Sequence, residues 1–302
     1  MIPVSIRCLL LTVLAVSVAT SAARAGELPL LERRSGYEQM SPESKAMQDD
    51  DTANPGMLWV LDGEALWNAK AGDSGRACAD CHGDPSVSMK GVAARHPAFD
   101  AGRGHAVDLA TRINICRVER QNAKVLEPES KDLLALGALI ARQSRGQPIA
   151  SDEHALKSVI EAGREIFTRR QGHMDLSCAH CHEANWGKKL AGIPLSQGHP
   201  TGYPLYRLEW QTFGSLQRRL RNCLFGMRAE TYAYGAPEYL ALETYLMWRA
   251  RGMPLESPAI RPRDHFRGGA SQPYLREQRR KMVEPSGIEP LTSSLRTRRS
   301  PN

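Results

Sequence analysis

Two short stretches, one hundred residues apart, decide the fold: Cys78-Ala-Asp-Cys81-His82 and Cys178-Ala-His-Cys181-His182. Both have the C-x-x-C-H spacing at which c-type haem is attached. Two thiols about one helical turn apart can bond to the two vinyl groups of a porphyrin, and the imidazole that follows can bind the iron. The sequence therefore predicts two covalently attached haem c groups, with His82 and His182 as axial iron ligands.

Cysteine pairs at this spacing have other uses, including thioredoxin-like redox sites, half zinc sites and disulfides. No β-α-β pattern surrounds either copy, and a redox pair does not require the histidine. The repetition of the motif in one chain also favours haem. His180, inside the second motif, is interpreted as a spacer residue.

The similarity between the two halves extends beyond the motifs. Gly63-Glu-Ala-Leu-Trp67 recurs as Gly163-Arg-Glu-Ile-Phe167, and each half closes with an apolar-periodic helix, over about 131–144 and 237–250. Glycine and proline follow both helices, and no alternating strand pattern is evident. We therefore predict a mainly α protein with long loops: two tandem class I cytochrome c-like domains, related by internal duplication, at residues 26–150 (haem 1) and 151–265 (haem 2, catalytic).

The N-terminus has the pattern of a secretory signal peptide. Arg7 precedes the apolar run 9–16, and small residues lead to Ala23-Arg24-Ala25. The apolar run is shorter than the roughly 20 residues that a membrane span needs. We predict that residues 1–25 are cleaved, that the protein is periplasmic, and that no membrane span remains.

The net charge of +7 on 302 residues is concentrated at the C-terminus. Residues 266–302 form a basic tail that we expect to be disordered, and such localised charge does not indicate a nucleic-acid surface. Residues 285–302 resemble translated RNA-gene sequence, which raises the question whether they are a genuine part of the protein. With 41% apolar residues, the remainder can form a packed core.

The sequence offers several candidates for the sixth ligand of each haem iron. Methionine and histidine are common in this role, and four such residues are candidates: Met89, His96, His199 and Met227. His96 and His199 both precede a proline and are treated as equivalent positions of the repeat. Two further cysteines, Cys116 and Cys223, are repeat-equivalent as well. A Cys116–Cys223 disulfide is one interpretation, since the predicted compartment permits it, but thiolate ligation of each haem by its own cysteine is favoured.

The second half resembles the SoxA family, the haem subunits of the SoxAX cytochromes of bacterial sulfur oxidation. The resemblance covers residues 35–265, is densest over 160–262, and includes the first haem motif that some members lack. It rests on these motifs in order: Trp186-Gly-Lys-Lys-Leu, Ser196-Gln-Gly-His-Pro200, Tyr206-Arg-Leu-Glu-Trp210, Gln217-Arg-Arg-Leu-Arg-Asn-Cys223, Arg228-Ala-Glu230 and Glu243 to Pro254.

The resemblance implies an L-cysteine S-thiosulfotransferase, which oxidatively joins thiosulfate to a cysteine of the SoxYZ carrier protein and passes two electrons through haem to a small cytochrome c. It implies a heterodimer with a SoxX-like monohaem subunit. It also implies that Cys223 ligates haem 2 and is catalytic as a cysteine persulfide, that Cys116 ligates haem 1, and that Arg219 binds substrate.

The residues around Cys223 agree with an anionic substrate. Thiosulfate is a dianion, and the guanidinium groups predicted to surround Cys223 would attract it: Arg218, Arg219, Arg221 and Arg228. Arg112 has the same position before Cys116, so binding of haem propionates is an alternative role for Arg219. Three other functions remain open from the residues alone: a diheme thiosulfate dehydrogenase, a plain diheme electron carrier and, less favoured, a diheme peroxidase.

Overall fold

The computed structural model describes residues 28–190 and 192–262. The predicted signal peptide, residues 1–25, and the predicted basic tail, residues 266–302, lie outside the described residues. Over the described ranges the chain is mainly helical with short strands, which confirms the predicted fold class. None of the described helices is both long enough and apolar enough to traverse a lipid bilayer.

The first repeat is built from helices α2 to α6. A short 3-10 helix, Leu30–Glu32, and α1 precede it, and a second 3-10 turn lies at Ala93–Arg95. The elements from α1 to α6 are α1 (Pro42–Asp49), α2 (Met57–Asn68), α3 (Cys78–His82), α4 (Pro85–Ser88), β1 (Ala98–Asp100), β2 (His105–Val107), α5 (Leu109–Gln121) and α6 (Lys131–Arg142).

The second repeat has the same order of principal elements. They are α7 (Lys157–Thr168), α8 (Cys178–His182), β3 (Lys189–Leu190), β4 (Ile193–Pro194), β5 (Leu205–Arg207), β6 (Thr212–Gly214), α9 (Leu216–Gly226), α10 (Pro237–Arg249) and β7 (Ala259–Arg261). Strand β5 pairs with β6 in antiparallel and with β7 in parallel orientation. Helices α6 and α10 confirm the two predicted closing helices.

A glycine allows the first and last helices of each repeat to cross at close range. A Cβ added at Gly63 of α2 would lie 2.3 Å from the carbonyl oxygen of Ala135 in α6. A Cβ added at Gly163 of α7 would lie 2.0 Å from the carbonyl oxygen of Ala241 in α10. Real side chains do not approach a backbone atom so closely, so any larger residue would push these helices apart.

The hairpin and the helix that follow also match. Strands β1 and β2 pair in the same register as β5 and β6, so that Ala98 corresponds to Leu205 and Asp100 to Arg207. The preceding peptide bonds, His96–Pro97 and Tyr203–Pro204, are both cis. His96 therefore corresponds to Tyr203, and the expected equivalence of His96 and His199 is wrong.

The second repeat contains an insertion that explains this error. His96 follows His82 by 14 positions, whereas Tyr203 follows His182 by 21 positions. The longer segment holds the β3–β4 hairpin and the loop 195–200. His199 belongs to this loop and has no counterpart in the first repeat.

The two repeats meet around an approximate two-fold axis. Pro148 forms a β-bridge with its own counterpart, Pro254. Backbone hydrogen bonds flank the bridge: Ile149 N–H donates to Met253 at 2.9 Å and Leu255 N–H donates to Gln147 at 2.9 Å. Self-pairing of equivalent segments is the geometry of a two-fold dimer interface, here within one chain. The division at residue 150 remains a prediction.

The cores of the repeats are joined at this axis. Met247 of α10 and Ala250, the residue that follows this helix, pack with the cluster formed by α2 and α6, whereas Ala106 of the first repeat packs with the cluster of α7, α9 and α10. Residues before α2 also reach the far end of the chain, because Gln48 Oε1 accepts from Ile260 N–H at 2.9 Å. Burial of apolar surface therefore stabilises both repeats together.

Candidate functional site

The first C-x-x-C-H motif forms the short helix α3. Asp80 caps its start by accepting from Ala77 N–H at 2.8 Å, and Gly83 ends it with a positive φ of 63°. Trp67, which is 2% exposed, donates to the Gly83 carbonyl at 2.9 Å and lies 5.7 Å from the His82 ring. The aromatic ring beside His82 therefore comes from the first helix of the repeat.

Helix α5 places Cys116 close to the first motif. The C-terminal residue of α5, Gln121, donates to the Arg76 carbonyl at 3.0 Å and approaches Cys78 Sγ at 3.8 Å. Burial raises the pKa of the Cys78 thiol, and the nearby Cys116 sulfur raises it further. Two motif cysteines, His82 and a third sulfur thus lie together.

The second motif forms helix α8 in the same way. His180 takes the place of Asp80: its Nδ1 accepts from Ser177 N–H at 3.1 Å and caps the helix. Burial, together with the nearby Cys223 sulfur, raises the pKa of Cys178 to about 12. Burial and Cys223 also raise the pKa of Cys181. Cys223 of α9 is therefore close to both motif cysteines.

His182 is oriented by the insertion of the second repeat. Its Nδ1 lies 2.8 Å from the Ser196 carbonyl oxygen and donates to it, which leaves Nε2 for iron. Gly198, at φ +76°, packs against the ring, since a Cβ there would lie 3.1 Å from His182 Cγ. This carbonyl partner comes from a loop that has no counterpart beside His82.

The side chains present at both motifs fit c-type haem. Each site combines two motif thiols, an imidazole one residue later and a sulfur from the facing helix, and at the second site Nε2 of the histidine is free to bind iron. Within residues 28–190 and 192–262 all six cysteines are free thiols. The alternative Cys116–Cys223 disulfide is not formed in this structure.

The other candidate ligands have their own packing. Met89 is 9% and Met227 is 7% exposed, and each is part of the apolar core of its repeat. His96 Nδ1 bonds to the Val92 carbonyl at 2.8 Å, and His199 Nδ1 bonds to the Arg34 carbonyl at 2.9 Å. Burial lowers the pKa of His199 to about 4, so this imidazole is neutral at physiological pH.

The arginines expected around Cys223 differ in their partners. Arg218 stacks on Trp210 at 4.3 Å and faces Glu129 of the first repeat at 3.9 Å. Arg221 donates to the Tyr232 carbonyl and lies over Tyr234. These two guanidinium groups therefore have structural partners, and the expectation that all four arginines surround Cys223 stays a prediction.

Arg219 is the arginine that shares its surroundings with Cys223. Tyr203 is packed in the second core cluster, and burial raises the pKa of its hydroxyl. Arg207, Arg219 and Arg261 each lower that pKa, whereas Cys223 raises it. Arg219 and Cys223 thus both lie close to Tyr203, at a site with several positive charges.

In the first repeat the arginine at the position of Arg219 is paired with a carboxylate. Arg112, the counterpart of Arg219, bonds to Asp100 at 2.8 Å, and Arg103 also faces Asp100 at 3.4 Å. The counterpart of Asp100 is Arg207, which is 5% exposed and lies 3.8 Å from Glu209. The replacement of Asp100 by Arg207 gives no signal in the sequence alone, because it appears only when the two hairpins are aligned by register.

The fold and these donor sets define a tandem c-type cytochrome. The SoxA/TsdA cytochrome c domain family matches residues 62–149 and 162–255. The chain is 36% identical over 248 residues to the L-cysteine S-thiosulfotransferase subunit SoxA of Pseudaminobacter salicylatoxidans, covering 82% of this chain and 87% of the relative. It is 37% identical over 231 residues to that of Rhodovulum sulfidophilum, covering 76% and 80%.

The solved structures agree with the sequences. The crystal structure of SoxXA from P. pantotrophus superimposes with a TM-score of 0.74 at 33% identity, covering 76% of this chain and 87% of that chain. The chain therefore belongs to the SoxA family.

Proposed function

We propose that this chain is the catalytic haem subunit of a periplasmic complex that conjugates thiosulfate to a cysteine of the SoxYZ carrier. The observation that carries the proposal is the placement of Cys223: it lies beside Cys178 and Cys181, one helical turn after Arg219. A sulfur nucleophile, a cation and a haem-attachment motif thus converge on one position. The name of the relatives supports the same reaction.

In this proposal Arg219 binds the substrate. Thiosulfate carries two negative charges, and a guanidinium group can donate two parallel hydrogen bonds to sulfonate oxygens. Arg219 precedes Cys223 by four residues on α9, so the two side chains project from the same face of the helix. The terminal sulfur of the bound anion would then point toward Cys223.

Cys223 would relay the sulfur. Its thiolate, or the corresponding persulfide, bonds to the terminal sulfur of thiosulfate while two electrons are lost. The carrier thiolate then attacks that sulfur and displaces Cys223, so the sum is carrier-SH plus thiosulfate giving carrier-S-thiosulfonate, one proton and two electrons. When bound, c-type haem supplies the electron acceptor.

The remaining assignments complete the proposal. Two haem c groups would be held by Cys78 and Cys81 and by Cys178 and Cys181, with His82 and Cys116 or His182 and Cys223 as axial ligands. A SoxX-like monohaem cytochrome would be the partner subunit, and a small cytochrome c would accept the electrons. The predicted signal peptide would direct the chain to the periplasm.

The test uses the complete complex with the SoxX-like subunit. It is incubated with thiosulfate, SoxYZ and oxidised cytochrome c, and the carrier is weighed by mass spectrometry. A carrier heavier by one thiosulfate group is the expected result. Tetrathionate without a carrier adduct would instead show a thiosulfate dehydrogenase, and cytochrome reduction by other donors alone would show a plain electron carrier.

A further inference from the structure

The helix that carries Arg219 and Cys223 is held at its two ends by different repeats. Its C-terminal end packs on the loop before the second motif, where His173 N–H donates to the Arg228 carbonyl at 3.2 Å. Its N-terminal end faces the first repeat. There the Glu129 carboxylate accepts from Ser215 N–H at 3.3 Å and pairs with Arg218 at 3.9 Å.

A second bond joins the same helix end to the first repeat. Gln217 Nε2 donates to Asp108 Oδ2 at 3.1 Å. Asp108 also caps α5 by accepting from Thr111 N–H at 2.6 Å, so one carboxylate connects the first turns of α5 and α9. Carboxylates at a helix N-terminus are favourable because they offset the partial positive charge of the free N–H groups.

The backbone at Glu129 indicates that its side chain is specifically required. Glu129 immediately precedes the N-cap of α6 and has φ +62°, a conformation that is unfavourable for a residue with a Cβ. The counterpart before α10 is Gly235, at φ +76°. The second repeat thus uses glycine where the first keeps a strained glutamate, and strain of this kind is maintained mainly where a side chain has a function.

Small movements at the start of α9 matter at Cys223. Cys223 follows Ser215 by eight positions, or about 12 Å of helix, so a tilt of about 5° at the N-terminal end displaces the Cys223 sulfur by about 1 Å. Such a displacement at a reacting atom can lower a rate by up to about a hundredfold. The Glu129 side chain is 12% exposed and belongs to the first repeat rather than to the second motif.

We propose that Glu129 is a positioning residue for the second site: through Ser215 and Arg218 it fixes α9, and with it Arg219 and Cys223, against the first repeat. The first repeat therefore contributes to the reaction as a support for the catalytic helix, whatever the redox role of its own haem. This inference rests on the proposed function for its kinetic consequences but not for its structural ones.

The deciding variant is Glu129→Gly, which installs the residue of the second repeat. It relieves the backbone strain while removing both contacts to α9, so we expect melting temperature within a few degrees of the wild type. In the complete complex, kcat for thiosulfate conjugation should fall about tenfold. Hydrogen exchange of the peptide 216–226 should accelerate, while exchange of 109–121 stays unchanged.

Spectroscopy of the oxidised complex gives a readout that does not depend on turnover. The low-spin signal of the haem at the second motif should broaden or split in Glu129→Gly, while the signal of the haem at the first motif is retained. If the wild-type complex proves not to conjugate thiosulfate, the exchange and spectroscopic changes still test the positioning role.

Two further variants complete the experiment. Glu129→Gln retains an oxygen for Ser215 N–H and loses only the charge facing Arg218, so its effect should be intermediate. Asp62→Asn removes the exposed Asp62–Lys131 salt bridge of 2.8 Å in the same repeat and should have no effect on kcat or spectra. Unchanged exchange, spectra and kcat in Glu129→Gly would overturn the proposal; if that variant yields no folded protein, unchanged values in Glu129→Gln would do so.

Discussion

The hairpins β1–β2 and β5–β6, which precede α5 and α9, have the same strand register but carry opposite charges at one equivalent position. In the first repeat Asp100 neutralises Arg112 at 2.8 Å. In the second repeat the corresponding strand end carries Arg207, and the corresponding helix position carries Arg219. Glu209 lies near Arg207 and offsets part of this charge.

This difference supports the proposed substrate site of the second repeat. In the first repeat the Asp100 carboxylate pairs with Arg112, whereas in the second repeat the same strand position adds a guanidinium group, Arg207, and additional positive charge favours an anion. Exchange of one acidic for one basic residue thus changes the local preference without altering register, cis peptide or helix. The predictions below test whether the two sites differ in function as their charges differ.

Substitution of Cys223 and of its counterpart Cys116 should show the largest difference in activity between the two repeats. Cys223→Ser removes the proposed sulfur nucleophile, so kcat for thiosulfate conjugation by the complete complex should fall by about a thousandfold or more. Cys116→Ser, at the equivalent position, should leave kcat within about threefold of the wild type while changing the absorption and magnetic spectra of haem 1. Equal losses in the two variants would contradict the assignment of catalysis to the second repeat.

Substitution of Arg219 and of its counterpart Arg112 should show the next largest difference. Arg219→Gln removes a charged hydrogen-bond donor to the substrate, and such bonds contribute about 1.5–3 kcal/mol, so KM for thiosulfate should rise roughly tenfold to a hundredfold. Arg112→Gln breaks a partly exposed ion pair with Asp100 and should reduce stability by about 1 kcal/mol or less, leaving KM unchanged. Steady-state kinetics across thiosulfate concentrations measure both effects. A KM for Arg219→Gln equal to that of the wild type would favour propionate binding as its role.

Arg207 should have a smaller effect of the same kind. It contributes positive charge at Tyr203 together with Arg219, but it also contacts Glu209 and Trp210. We expect Arg207→Gln to raise KM for thiosulfate about threefold to tenfold with little change in kcat. Salt should raise KM less in the variant than in the wild type; an identical salt dependence would show that Arg207 does not act on the anion.

Much of the fold was predictable from local patterns. The C-x-x-C-H motifs, the glycines at 63 and 163 and the closing helices recur at nearly constant spacing, and each has a local physical cause. The position of Cys116 and Cys223 near the motif cysteines also followed from their place in the repeat, and their ligation of haem stays a prediction. The hairpins β1–β2 and β5–β6 were not predicted, since strands of three residues are too short to show an alternating pattern.

The contacts that shape the second site depend on tertiary structure. Ser196 binds His182 through its backbone, so its side-chain identity gives no signal. The replacement of Asp100 by Arg207 at the equivalent hairpin position is visible only from the register of the strands. The hydrogen bond from Ser215 N–H to Glu129 joins residues far apart in sequence. The incorrect pairing of His96 with His199 arose because the Pro that follows each histidine was a stronger local signal than the register of the hairpins.

The smallest expected effect concerns the closing helices, where Gly137 of α6 corresponds to Glu243 of α10. Both line a cavity of about 180 Å³ between the repeats. Burial and the nearby Asp108 raise the pKa of Glu243 to about 8, and a hydrogen bond with Gln217 offsets part of this rise. In the unfolded chain this carboxyl ionises near 4.5, so stability should decline as pH rises from about 4.5 to about 8.

Glu243→Gln should therefore melt about 5 °C higher than the wild type at pH 8 and at nearly the same temperature at pH 5. Thermal unfolding at both pH values measures this difference, and an equal change at pH 5 and pH 8 would show that ionisation of Glu243 is not its cause.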